Sequence, residues 1–162
     1  MTILAVDPGE KESGVVRMTD GRITMSAILP NGGVLELLQE SHGEDLVCIE
    51  MVACYGMAVG AETFNTCLWI GRFVERWNYL NGVTPKLIYR RDIKLHHCGT
   101  AKAKDSNIRQ ALIDKYGPPG NKKAPGGTYG ISKHMWAALA VAAYVHETEQ
   151  EKTLCTSSTP KT

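Results

Sequence analysis

The sequence lacks any apolar run near the ~20 residues that span a bilayer, which excludes an ordinary transmembrane helix. Residues 1–15 lack the apolar core of a signal peptide, because Asp7, Glu10, Lys11 and Glu12 interrupt them. No CxxC pair occurs among the five cysteines, at 48, 54, 67, 98 and 155, and their number is odd. That disfavours both a zinc ribbon and a disulfide framework. Most of these cysteines sit in apolar segments, so buried, reduced thiols are the expectation. Cys98 follows His96 and His97, a soft-metal grouping that lacks a second ligand pair. Internal repeats are absent as well. These absences point to a cytoplasmic protein without membrane partners.

What is present is enough for one self-sufficient domain: 162 residues and 17.7 kDa, 43% hydrophobic and 22% charged. A chain of this size buries roughly 70% of its unfolded surface and needs neither a disulfide nor a structural metal. The net charge of +1 conceals an asymmetry. Residues 86–133 hold eleven Lys and Arg against Asp92, Asp105 and Asp114, a balance of +8. Glycine and proline rather than alternating acids separate these cations, which favours a polyanionic partner over a merely solvated face.

Thr2-Ile3-Leu4-Ala5-Val6 is an apolar, partly β-branched run ending at the turn signal Asp7-Pro8-Gly9. Ser13 to Met18 and Arg22 to Leu29, joined at Asp20-Gly21, extend it into a three-strand meander. Val34, Leu35, Leu37 and Leu38 have helical spacing. Leu46 to Ile49 reads as a strand buried on both faces, with Glu50 at its end. Phe64, Leu68, Phe73, Trp77 and Leu80 predict a long helix over 59–80, and Lys86 to Tyr89 another short buried strand. A helix is expected from Asp105, placed as N-cap, to Tyr116, then a Gly/Pro/Lys loop, then an apolar helix over 132–146. Residues 148–162 lack periodicity and read as a flexible tail following a domain of residues 1–147. The predicted order is β-β-β-α-β-α-β-α-α, an α/β layout with a mixed five-stranded sheet and helices on both faces.

Asp7 and Glu50 end two predicted central strands, where α/β sheets form their sites. Two neighbouring carboxylates repel unless a cation lies between them, and magnesium, with its preference for oxygen ligands, suits that place. His134, in the first turn of the last predicted helix, is a third candidate, since imidazole can ligate a metal or carry a proton. Asp105 is explained equally by capping and by catalysis. Lys102, Lys104 and Arg109 surround it with phosphate-binding charge, and Arg90, Arg91, Lys122, Lys123 and Lys133 extend the basic set.

Ile3-Leu4-Ala5-Val6-Asp7-Pro8-Gly9 with Gly14, Val47-Cys48-Ile49-Glu50, and Thr66-Cys67-Leu68-Trp69-Ile70-Gly71-Arg72 form an ordered set of motifs. Ala101-Lys102-Ala103-Lys104-Asp105 with Ile108, and His134-Met135-Trp136-Ala137-Ala138-Leu139-Ala140, complete it. Together, over roughly residues 2 to 146, they resemble the RuvC-type Holliday-junction resolvases of the RNase H-like superfamily, especially the phage-borne branch. The resemblance implies an RNase H-like fold and a crossover junction endodeoxyribonuclease that resolves four-way or otherwise branched DNA by paired cuts. The setting it implies is a bacterial or phage-infected cell.

It further implies a magnesium pair, with manganese able to substitute, held by Asp7, Glu50 and His134 and supplying water activation and leaving-group stabilisation. Paired cutting implies a C2 homodimer, with the helix carrying Phe64, Trp69 and Phe73 at the interface. Tyr55, Met51 and Met57 beyond Glu50 are candidates to stack on or wedge between bases, with ordinary loop packing the alternative. One departure stands out. The family's last helix usually offers two acids three residues apart, and these positions here are His134 and Ala137. Ala137 favours a weakened, branched-DNA-binding module as one alternative, and Asp7-Pro8-Gly9-Glu10-Lys11 with Gly14 also suits a YqgF-like nuclease acting on RNA. An actin-like kinase, which also begins with an Asp-x-Gly strand, needs a second lobe that 162 residues do not provide.

Overall fold

Residues 2–6 are apolar without alternation because they form a strand covered on both faces. A computed structural model describes residues 1–41 and 45–157. In chain order its elements are β1 (Thr2–Asp7), β2 (Glu12–Thr19), β3 (Arg22–Pro30), α1 (Asn31–Glu40) and β4 (Asp45–Met51). They continue with α2 (Ala61–Asn81), β5 (Lys86–Tyr89), α3 (Arg90–Cys98), α4 (Asp105–Tyr116) and α5 (Met135–Ser157). The strands make one mixed sheet in the order β3-β2-β1-β4-β5. β1, β2 and β3 pair antiparallel, whereas β1–β4 and β4–β5 are parallel. Asp20 and Gly21 turn the β2–β3 hairpin at φ of 48° and 77°, the left-handed pair a tight two-residue loop requires.

Period-two alternation along β1 sends Ile3 and Ala5 to one face and Leu4 and Val6 to the other. The first face joins Val16, Met18 and Cys48 to α5, to Ile93 of α3, and to Ile108 and Leu112 of α4. The second joins Val15, Val47 and Ile49 to Val34 and Leu38 of α1 and to Ile70, Phe73 and Trp77 of α2. Each fully buried Leu, Ile or Phe contributes about 1.5–3 kcal/mol. The run Ala138–Ala143 in α5 has no solvent exposure, and its small side chains let the helix lie close across β1, β2 and β4.

Several expectations are corrected. α3 was not foreseen: its residues are mostly charged or histidine, and only Ile93 is buried. β5 is an edge strand, and Leu87 and Tyr89 face outward. The expected loose tail is helical as far as Ser157, since α5 continues without a break through residue 147. Residues 158–162 lie outside the described residues. All five cysteines are free, but only Cys48 is buried, and burial pushes its thiol up to about 12. Cys54 and Cys155 are exposed. Among the described residues, no helix is long and apolar enough to cross a membrane.

Candidate active site

Strand register brings the acids together. Val6 pairs with Ile49 across the parallel β1–β4 ladder, so Asp7 and Glu50, each one residue further on, emerge side by side at the carboxyl ends. On the other edge of β4, Glu50 pairs with Ile88 and Met51 with Tyr89, and the chain enters α3 at Arg90. Arg90 thereby reaches the same end of the sheet. Its Nη1 lies 3.2 Å from Glu50 Oε2 and its Nη2 lies 2.7 Å from Asp105 Oδ1.

His134 arrives from the opposite side. Its Nδ1 is 3.0 Å from Asp7 Oδ2. It stands just before α5 rather than inside the first turn, and its carbonyl accepts the Ala138 N–H at 3.1 Å. The approach depends on Gly14, which pairs with Asp7 across the β1–β2 ladder. A Cβ on Gly14 would lie 2.5 Å from the His134 carbonyl carbon and oxygen. Only a residue without a side chain lets that segment settle against β2.

The loop behind Asp7 is braced from below by buried polar groups. Ser13 Oγ donates to Asn31 Oδ1 at 2.6 Å, and Asn31 Nδ2 donates to the Gly9 carbonyl at 2.9 Å. The Asn31 N–H donates to the Lys11 carbonyl at 3.1 Å. Such a satisfied buried network fixes one loop conformation.

Asp7, Glu50, Arg90, Asp105 and His134 line an open cleft of about 480 Å³, together with Arg109, Lys133, Trp136 and Ala137. The Arg109 guanidinium lies 4.8 Å from the Trp136 ring centroid, a cation–π contact that fixes the arginine on the cleft wall. Burial pushes Glu50 up to about 7; Arg90 opposes the rise and the Asp7 charge adds to it. Burial also raises Asp7, against the lowering effect of His134. Asp105 is largely exposed, and its hydrogen bond to Arg90 holds it below the usual carboxylate range.

Asp105 does not cap α4. Lys104 occupies that position, with its N–H donating to Asn107 Oδ1 at 2.9 Å, and Asp105 turns to Arg90 instead. The Arg90 guanidinium offers the carboxylate a full positive charge, where a capping N–H offers only a partial one. The remaining basic residues divide into groups. Arg109 and Lys133 are in the cleft. Tyr55, Arg91 and Lys94 line a groove that Arg90 shares. Lys102 and Lys104 belong to a separate depression beside the start of α4.

Lys122 and Lys123 stand at the tip of a tight turn closed by paired backbone bonds between Asn121 and Ala124. Tyr55 and Met57 are 60% and 70% exposed in the loop after β4, but Met51 ends β4 and packs against the α1–α2 side of the core. Trp136 in the cleft wall, the steric role of Gly14 and the pairing of Arg90 with Glu50 and Asp105 were missed by sequence reasoning.

The histidine grouping seen in the sequence resolves differently. His96, His97 and Glu147 bring ligand atoms within 4.8 Å of one another, without Cys98. Glu147 is already paired there with Lys115 and, at 2.9 Å, with His96.

A mixed five-stranded sheet, antiparallel through β1–β3 and parallel through β1, β4 and β5, with helices on both faces, is an RNase H-like fold. No family model matches the sequence, and no curated protein does. Solved structures match in fold. The RuvC structure of Thermus thermophilus superposes with a TM-score of 0.67 at 17% identity, covering 93% of this chain and 97% of that one. The same organism's RuvC in complex with Holliday junction substrate gives 0.67 and 17%, covering 93% and 96%. The shared fold extends over nearly the whole of both chains.

Proposed function

We propose that this chain is a divalent-metal-dependent endonuclease of branched DNA, with four-way junctions as its foremost substrate. The observation that carries the reading is the convergence of Asp7, Glu50 and His134 in an open cleft flanked by arginine and lysine. The donor set, two carboxylates and an imidazole, fits a hard cation such as magnesium or manganese. Asp7, Glu50 and His134 would hold it, and it would supply water activation and stabilisation of charge on the phosphate. The chain's own groups do the rest. Arg109 and Lys133 neutralise and orient the backbone, and the Trp136 stack limits how far Arg109 swings. Tyr55, at the exposed loop tip, stacks on an unpaired base at the strand exchange. The superposed RuvC bound to a Holliday junction favours this substrate over RNA.

Binding should weaken steeply with salt, because released counterions drive it. Replacing Lys122 and Lys123 together by Ala is expected to flatten the plot of log affinity against log salt by roughly 0.9 per lost phosphate contact. Fluorescence anisotropy with a labelled junction measures the slope.

Two cuts placed symmetrically need two cleft copies, so the functional form is a C2 homodimer. Phe64 and Leu68, one helical turn apart on α2, are 61% and 68% exposed and offer an apolar contact for a second copy. Phe73, expected at that interface from the sequence, instead lies in the core. Leu68→Glu should yield a folded monomer in sedimentation analysis, with single nicks replacing paired ones.

The deciding assay compares four-way junction, linear duplex and structured RNA, with and without magnesium. Paired nicks confined to the junction support the resolvase. Junction binding without cleavage would identify a binding module, the reading that Ala137 favours, and cleavage of RNA alone a different nuclease.

A further inference from the structure

Ala137 lines the cleft at a position where a second acid of α5 would have added an anion. The site is not simply poorer by one charge, because it also contains a cation of its own. Arg90 lies between Glu50 and Asp105, at 3.2 and 2.7 Å, with most of its side chain buried. A guanidinium is planar, permanently charged and forked, so it spans two carboxylates in a way an ammonium does not. Parallel register places it there: β4 and β5 end together, and Arg90 is the first residue of α3.

We infer that Arg90 is the resident second cation of this site, so that the chain takes one divalent ion, at Asp7, Glu50 and His134, rather than two. The inference deepens the metal-dependent reading above and rests on it. The charge balance supports it. Asp7, Glu50 and Asp105 carry −3 when ionised, Arg90 contributes +1 and one divalent ion +2. These paired groups and one ion sum to zero, which leaves Arg109 and Lys133 on the cleft wall to face the DNA phosphates. Two divalent ions would leave an excess of +2 and would have to separate Arg90 from both of its carboxylates. With one ion, Arg90 keeps Asp105 against the site and is free to turn part of its donor set to the substrate phosphate. Arginines serve phosphoryl transfer elsewhere by stabilising the same developing charge.

The test counts ions and needs no DNA. Manganese is titrated into the full chain while paramagnetic resonance records the free ion and calorimetry the heat. One ion per chain is expected for the wild type and for Arg90→Lys, which keeps the charge. Two are expected for Arg90→Gln and for Arg90→Met, either of which suffices if circular dichroism shows it folded. Two ions in the wild type, or one in every variant, would overturn the inference and leave metal-dependent cleavage standing. No ion in the wild type would end both readings. One ion as expected, without junction cleavage, would remove the nuclease and keep the assignment of Arg90.

Discussion

Asp7→Asn is expected to reduce the proposed junction cleavage by on the order of 10³-fold or more, about 4 kcal/mol of barrier, while leaving the fold and junction binding in place. The carboxylate ends the central strand, with only 15% of its side chain exposed, so an amide of the same shape fits without repacking. What changes is chemistry. An amide oxygen is a poorer ligand for a hard cation, and the contact with His134 Nδ1 loses its charge. Because burial already raises Asp7, a neutral side chain removes a desolvation cost, and the melting temperature should hold or rise slightly. The measurement pairs a cleavage time course in magnesium with a mobility shift in calcium. Residual cutting within tenfold of wild type would place the reacting centre elsewhere.

Gly14→Ala is the second large effect, and it acts at one remove. The added carbon meets the His134 backbone at 2.5 Å and the His134 Cβ at 2.9 Å, and a backbone cannot rotate away as a side-chain tip can. Relief requires β2 and the residues ahead of α5 to part, at a cost of about 1–3 kcal/mol. The Asp7–His134 contact lengthens as they do. Cleavage should fall about 10–100-fold, the usual loss when support for a metal ligand is disturbed. Gly32→Ala is the control: nothing lies within 4 Å of its added carbon, and inside α1 it should be neutral or stabilising by up to about 1 kcal/mol. Urea denaturation and the same cleavage assay separate the two variants.

The sheet was legible in the sequence because burial leaves a periodic trace. Ile3 to Val6 and Val47 to Ile49 read as continuous apolar runs since helices cover both faces of the strands they form. α3 left no such trace, since Ile93 is its one buried residue and most of its other side chains are charged or imidazole. The far end of α5 was equally silent. Glu149, Gln150, Glu151 and Lys152 present no apolar stripe, and a Glu149–Lys152 pair at 2.7 Å gives local support instead.

At the site, Asp7 and Glu50 were visible because each follows an apolar strand. Arg90 looked like one more member of a basic stretch, since its position depends on β4 and β5 ending in register, which composition does not encode. Of the two roles open to Asp105, only the cap was lost, and for a related reason: a capping preference is local, and Arg90 comes from another element.

β1 is held on every side, by β2 and β4 at its edges and by helices above and below. Its amides should therefore surrender their protons to solvent only when the entire molecule opens. The carboxylate at its tip inherits that stillness. Any loosening that the proposed DNA binding demands would have to come from the outlying grooves and loops, with the carboxylates of the cleft held in place.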